Sequence, residues 1–471
     1  MSPDVLSELS MTEAADAFAR GEVTARALVE AMLHRLGQHE AKVNSLVRLD
    51  REEALLAAHA ADKARTAGQK PGPLGGVPML HKDMYYRAGK VSTCGSKIRR
   101  DFVPPVTATV LKRLDAAGAI DAGTLNMAEF AQNPTGHNAH FGDAMNPWNA
   151  AHCTGGSSSG SGAAVAGRFV TAALGSDTGG SIRLPAAMCA VTGLKPTQTR
   201  VPRTGVMPLS FSADNVGPLC RTARDAARFL SVIAGRCEGD PTSAREPVPD
   251  YEAALTGDLR GMRMAVIEPW FLDGIEEPVA VAFEAAIRVL QGLGVRTEMV
   301  SPASLPGIVT YTAVVSRVEG ATIHQRWMRE CQSDYATHLS ARIYGGYAIP
   351  GTAYLEALSR RGPLLRQFCD EALTGFDAVL TPTLRTRVPT RAETDVDADP
   401  ENWGRFMGLS ANTRPFNYLG LPTVSVPAGF DDRGLPVGLQ IAARPFGEAR
   451  LLRIADAFQR ETDWHKRNPF P

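Results

Sequence analysis

Apolar residues recur at helical spacing through the first seventy positions and then change rhythm. Ser10 and Glu13 form a capping-box pattern ahead of "AADAFAR", and Thr24 is placed to cap "ARALVEAMLHRL". "SLVRLDREEALLAAHAADKARTAG" continues with helical spacing to Gly68, and "QKPGPLGG" follows as a turn-rich connection. From Val77 onward, short apolar runs alternate with helical stretches. "TATVLKRLDAAGA" reads as a helix ending at Gly118, "AIDAGTLNMAEF" as a strand, turn and short helix, "SGSGAAVAGRFV" as a helix, and "TAALGSD" as a short buried strand.

The alternation returns later. "GMRMAVIEP", "EEPVAVAFEAAIRVLQGLG" and "VRTEMV" form a βαβ pattern, and "FDAVLTPT" restores a strand after a helical stretch over 303–375. "DVDADPENWG" reads as an acidic surface loop. "LPTVSVPAGF" and "GLPVGLQIAARP" close the series as strands before the helix "GEARLLRIADAFQRET". Alternating strands and helices predict an α/β architecture whose sheet is covered on both faces. Residues 1–70 are expected to form a helical layer of the same domain. Residues 71–471 carry the α/β body, with 303–375 partly separate around a substrate pocket.

Composition narrows the class. The 471 residues are 44% apolar and 21% charged, with fifty basic side chains against fifty acidic ones. That balance gives no reason to expect nucleic acid or an anionic membrane as a direct partner. The first thirty residues have no signal-peptide pattern, and no apolar run is long enough for a membrane span. Seven scattered cysteines without a CxxC pair fit reduced thiols in the cytoplasm.

"TGGSSSGSGAAVAG" at 154–167 is the most unusual stretch. Its apolar continuation argues against a solvated linker. It lacks the lysine and spacing of a P-loop and does not open a GxGxxG unit, although small residues at a helix start could still cradle an anion. There is no G-x-S-x-G elbow here, and the ten histidines form no metal-spaced set. Lys82 follows the apolar run in "GGVPMLHKD". A lysine there is ordinarily a solvated strand end; buried, it loses charge and can act as a base for a serine.

"GGVPMLHKD", "GGSSSGSGAAVAG", "GSDTGGSIRLPAAMCAVTGLKPT" and "GLPTVSVPAGF…GLPVGLQIAARPFGEARLL" together resemble the amidase signature family. That resemblance implies an α/β/α fold around a large mixed sheet, often in a homodimer. It makes Ser181 the nucleophile, Ser157 the bridging serine after a cis bond from Gly156, and Lys82 the base. It assigns the oxyanion hole to the amides of Thr178, Gly179, Gly180 and Ser181, and supporting positions to Ser158, Asp177 and Arg183. Thr154 and Ser159 depart from the family's usual proline and glycine.

The implied activity is hydrolysis of a C–N bond through an acyl-enzyme on Ser181, with no metal or organic cofactor. Aromatic residues in 303–375 lean towards a small uncharged or aryl-containing amide, with carbamate, ester and hydrazide open to the same chemistry. Tyr85, Tyr86 and Met127 are further pocket candidates by their position near the motifs. Two alternatives carry the same sequence. One is the glutaminase component, the A subunit, of a tRNA-dependent amidotransferase; the other is a noncatalytic binding protein on the same scaffold.

Overall fold

A computed structural model describes all 471 residues. Its organising element is one mixed sheet of eleven strands. In chain order these are β1 (Leu46–Leu49), β2 (Pro78–Lys82), β3 (Ile120–Leu125), β4 (Ala172–Asp177), β5 (Thr192–Lys195) and β6 (Asn215–Cys220). They continue as β7 (Arg263–Ile267), β8 (Arg296–Val300), β9 (Ala378–Pro382), β10 (Thr423–Phe430) and β11 (Pro436–Ala442). Across the sheet they lie in the order β1-β3-β2-β4-β6-β5-β10-β11-β9-β7-β8.

Strand β2 runs parallel to both β3 and β4, as β7 does to β8 and β9, while β10 and β11 are antiparallel. Strands β2, β4, β6, β9 and β11 are buried along their whole length, as expected of strands covered on both faces. One core of 92 buried residues extends from the N-terminal helices to Phe458.

Local chemistry sets the helix boundaries. Ser10 Oγ accepts from Glu13 N–H while Ser10 N–H donates to Glu13 Oε2, so the helix Met11–Arg20 starts at a complete capping box. Thr24 caps Ala25–Val43 through Ala27 N–H. The chain differs from its helical pattern at 46–49. Those four residues pair antiparallel with β3, and the next helix begins only at Arg51. The free edge of β3 offers backbone partners, and tertiary pairing outweighs a weak local preference for helix.

Helix Ser159–Ala166 is buried at every residue. A Cβ on Gly160 would sit 2.4 Å from the Ser45 carbonyl oxygen and 2.6 Å from Asn126 N, so only glycine permits this approach. Ser159 opens the helix without a positive φ. Residues 303–375 form the helices Leu305–Glu330, Thr337–Tyr347 and Gly351–Ala372. They share a smaller core, including Ile308, Val315, Ala357 and Phe368, with Phe416 of the helix Arg414–Leu419. No helix is long and apolar enough to cross a membrane.

Candidate active site

The parallel strands β2 and β4 end side by side and deliver their last residues to one place, the usual position for a site in an open α/β sheet. Lys82 ends β2 and is completely buried. Its Nζ lies 2.6 Å from Ser157 Oγ and 2.9 Å from Ser176 Oγ. Burial lowers the Lys82 pKa to about 7, although the charges of Asp177 and Asp214 pull it back upward. The amine therefore exchanges protons near neutrality. Ser157 follows a cis peptide bond from Gly156 and is itself fully buried.

Ser181 stands on the turn between β4 and the helix Arg183–Cys189, part-exposed to a cavity of about 40 Å³. Backbone ties the two serine segments, for Ser158 N–H donates to the Ser181 carbonyl at 3.3 Å. No hydrogen bond joins Ser157 Oγ to Ser181 Oγ. The structure thus brings Lys82 and Ser157 into contact and sets Ser181 beside them at the cavity wall.

Asp177 organises the turn. Its carboxylate accepts from Gly180 N–H at 2.8 Å, Ile182 N–H at 3.1 Å, and Arg183 Nε and Nη2 at 3.0 and 2.9 Å. Burial alone would raise its pKa; the Arg183 charge and hydrogen bonds outweigh that and hold it well below the usual carboxylate range. Arg183 then reaches the Thr413 carbonyl, Gln440 Oε1 and Asn417 Oδ1, so the pair has no free valence in the interior. Of the four amides assigned to the oxyanion hole, Gly180 N–H is committed to Asp177. Those of Thr178, Gly179 and Ser181 bond to no protein acceptor. Ser158 Oγ is held by Ser176, donating to its carbonyl and accepting its N–H, both at 3.3 Å.

The three pocket candidates near the motifs lie elsewhere. Tyr85 is buried with its hydroxyl on the Gly175 carbonyl, Met127 is fully buried, and Tyr86 packs beside Phe102 and Met207. None lines the cavity beside Ser181. Nearness to the motifs along the chain did not bring these side chains to the cavity. The cavity wall has no aromatic residue at all. Trp327 stacks on Phe130, Tyr311 pairs with Tyr418, and Tyr344 and Tyr347 face outward.

Sequence reasoning missed the residues that do build that wall. Gln132, Asn133, Thr312, Ser316, Arg342, Ser410 and Arg414 come from four separate stretches of chain. Ser176 was hidden inside "ALGSD", where it reads as an ordinary strand residue. A larger cavity of about 320 Å³ touches Ser176 and Asp214 but not Ser181. Among all His, Cys, Asp and Glu side chains, no group of three is placed to hold a metal ion.

A buried amine stands against one serine, beside a second serine with unfilled amides around it. The Amidase family model matches residues 27–452, and the chain belongs to the amidase signature family. It is 40% identical to the A subunit of the glutamyl-tRNA(Gln) amidotransferase of Chloroflexus aggregans, over 98% of each chain. Among solved structures it is similar to 6-aminohexanoate cyclic dimer hydrolase in complex with substrate, with TM-score 0.90, 26% identity, and 98% and 99% of the two chains covered. It is also similar to a chain of a structure described as a vestigial protein complex that reveals the evolutionary origins of an s-triazine catabolic enzyme, with TM-score 0.88, 29% identity, and 96% and 98% covered. The α/β fold with its large mixed sheet is that of these hydrolases.

Proposed function

We propose that this amidase-signature hydrolase cleaves the C–N bond of a small amide through an acyl-enzyme on Ser181, with Lys82 as base and Ser157 as bridge. The contact of Lys82 Nζ with Ser157 Oγ at 2.6 Å, in complete burial, is the observation that carries the assignment. Neutral Lys82 keeps its donor bond to Ser176 and takes the Ser157 proton as Ser157 takes that of Ser181. A rotation of the Ser181 side chain from the cavity towards Ser157 completes the relay; catalytic hydrogen bonds often tighten only around substrate. Ser181 Oγ bonds to the carbonyl carbon, and the amides of Thr178, Gly179 and Ser181 receive the oxyanion. One such donor is worth about 3 kcal/mol in the transition state. The lysine proton then returns through Ser157 to the departing nitrogen, the C–N bond breaks, and water releases the acid by the reverse path.

The finer substrate assignment has two readings with this same chemistry. Full-length identity to the A subunits of amidotransferases supports glutamine as ammonia donor, with a partner receiving the ammonia. That support exceeds anything in the sequence for an aryl amide. The other reading is a stand-alone hydrolase acting on a different small amide, with a cytoplasmic homodimer as its expected form. Ammonia release from glutamine and from a panel of other small amides, beside a Ser181→Ala control, separates them. Turnover that survives Ser181→Ala removes the acyl-enzyme from both.

A further inference from the structure

We infer that Arg35, Arg168 and Arg221 form a second ligand site, one that takes a tetrahedral oxyanion: inorganic phosphate or the phosphate of a monoester. None of the three lines the cavity beside Ser181. Arg35 lies on the helix Ala25–Val43, Arg168 follows the helix Ser159–Ala166, and Arg221 follows β6. They are only 5%, 4% and 4% exposed. Arg168 has a φ of 63° just past the capping residue Gly167, a left-handed position where glycine is the usual occupant. The backbone takes an unfavourable conformation there, and a charged side chain enters the interior from it.

Hydrogen bonds use only part of each guanidinium. Arg35 Nη2 donates to the carbonyls of Phe470 at 3.0 Å and Gly167 at 3.3 Å. Arg168 Nη2 donates to those of Lys466 and Arg467 at 3.0 and 2.9 Å, and Arg221 Nη1 to that of Ser7 at 3.3 Å. Arg35 Nε, Arg168 Nε, and both Nε and Nη2 of Arg221 are buried without an acceptor. A buried donor left unpartnered is costly, and more so on a charged group.

Negative charge is short as well. Glu8, which follows the helix Pro3–Ser7, is the only carboxylate in ion-pair contact with the three. Its Oε2 stays 3.6 Å from Arg168 Nε and 3.9 Å from Arg221 Nη1, too far for a hydrogen bond, while Oε1 accepts from Asn468 Nδ2 at 2.7 Å. Arg35 contacts no carboxylate, although Glu8 and Asp4 are near it. Asp225, near Arg221, is occupied by the amide and hydroxyl of Thr12 at 2.9 and 3.0 Å and by the Thr222 amide at 3.3 Å. Glu13 belongs to the capping box. Burial first, then Arg221 and Arg35, push the Arg168 pKa down to about 9 against the pull of Glu8. A guanidinium keeps its proton in proteins, so this pressure is uncompensated positive charge.

A groove of about 760 Å³ gives access, lined by Arg35 and Glu8 together with Asn468 and Phe470. The Glu8 side chain is 47% exposed and free to turn outward. Its departure leaves three positive charges and four free donors on three separate elements. A planar carboxylate fills the fork of one guanidinium; the four oxygens of a phosphate dianion accept from three at once and answer more of the charge. A cation is rejected by like charge.

Calorimetric titration of the full chain with inorganic phosphate, at ionic strength held constant with chloride, tests the site. Binding with a Kd below about 1 mM is expected, and melting should move upward with phosphate beyond any shift that chloride gives. Glycerol phosphate separates the two sources: tighter binding than phosphate makes the ligand a monoester whose tail lies in the groove, and equal or weaker binding makes it the free ion. Glu8→Gln should tighten phosphate about tenfold by removing the competing carboxylate, and Arg168→Gln should weaken it at least about tenfold. Melting by circular dichroism checks folding; if Arg168→Gln does not fold, Arg35→Gln must show the same loss. Phosphate that binds no better than chloride, or an affinity unchanged in either the glutamate or the arginine variant, overturns the proposal.

Discussion

Two lysines lie wholly inside this protein, and only one is placed to do chemistry. Lys82 ends β2 and Lys195 ends β5; both have no exposure, and burial lowers both to about 7. Lys82 meets two serine hydroxyls, one of them next to the Ser181 turn. Lys195 donates to the carbonyl of its neighbour Pro196 at 2.9 Å and meets no hydroxyl. A depressed pKa makes an amine available as a base; a transferable proton within reach gives it something to accept. Perturbed titration alone marks both sites, and geometry separates them.

The sharpest ways to break that contrast are substitutions. Ser181→Ala should abolish amide hydrolysis with the fold intact, measured as ammonia release beside a thermal melt. Lys82→Ala should lower kcat by a factor on the order of 10²–10⁴, the range of a positioned general base. Lys195→Met should leave kcat within about fivefold, since it replaces a side chain that touches no reacting group. A comparable collapse in both lysine variants would erase the distinction.

Next in size is the pair that frames the turn. Asp177→Ala leaves Arg183 buried without its partner and should cost about 3–5 kcal/mol of stability in denaturant unfolding. A change within about 1 kcal/mol would remove Asp177 from the role described here.

Smaller effects follow pH. With Lys82 as the proposed base, kcat/KM should rise with pH through about 7 and then level; Lys195→Met should keep that limb in place. Stability treats the two lysines alike. Both native pKa values lie below the ordinary lysine value, so between about 7 and 10 the unfolded chain binds more protons than the native one, and unfolding free energy gains with pH. Replacing either lysine by methionine should flatten that slope equally. An unequal response would show that one of them stays charged in the native state.

Much of the fold is legible in the sequence because the inner strands are continuous apolar runs between turn residues, as in "TAALGSD" and "FDAVLTPT". The strand at 46–49 is not, because its four residues belong to a longer helical rhythm and only the edge of β3 makes them a strand. The serine and lysine positions stand inside dense motifs, where residue type and order carry the reading. The cavity wall has no such signature. Arg342 sits within an ordinary helical pattern and Arg414 in "NTRPF", 72 residues apart; each alone looks like a solvated charge. Likewise nothing in "DTGGS" indicates that Asp177 would take the Gly180 amide for itself.

Thr413 donates through its hydroxyl to the Gly179 carbonyl at 2.6 Å, and its own carbonyl accepts from Arg183 Nη1 at 2.9 Å. Arg414 is the very next residue. A guanidinium of the cavity wall is thereby indexed to the glycine-rich turn of Ser181 at a fixed span. Any displacement of the helix Arg414–Leu419 would therefore be felt at the glycine-rich turn, so the wall and the turn keep one spacing.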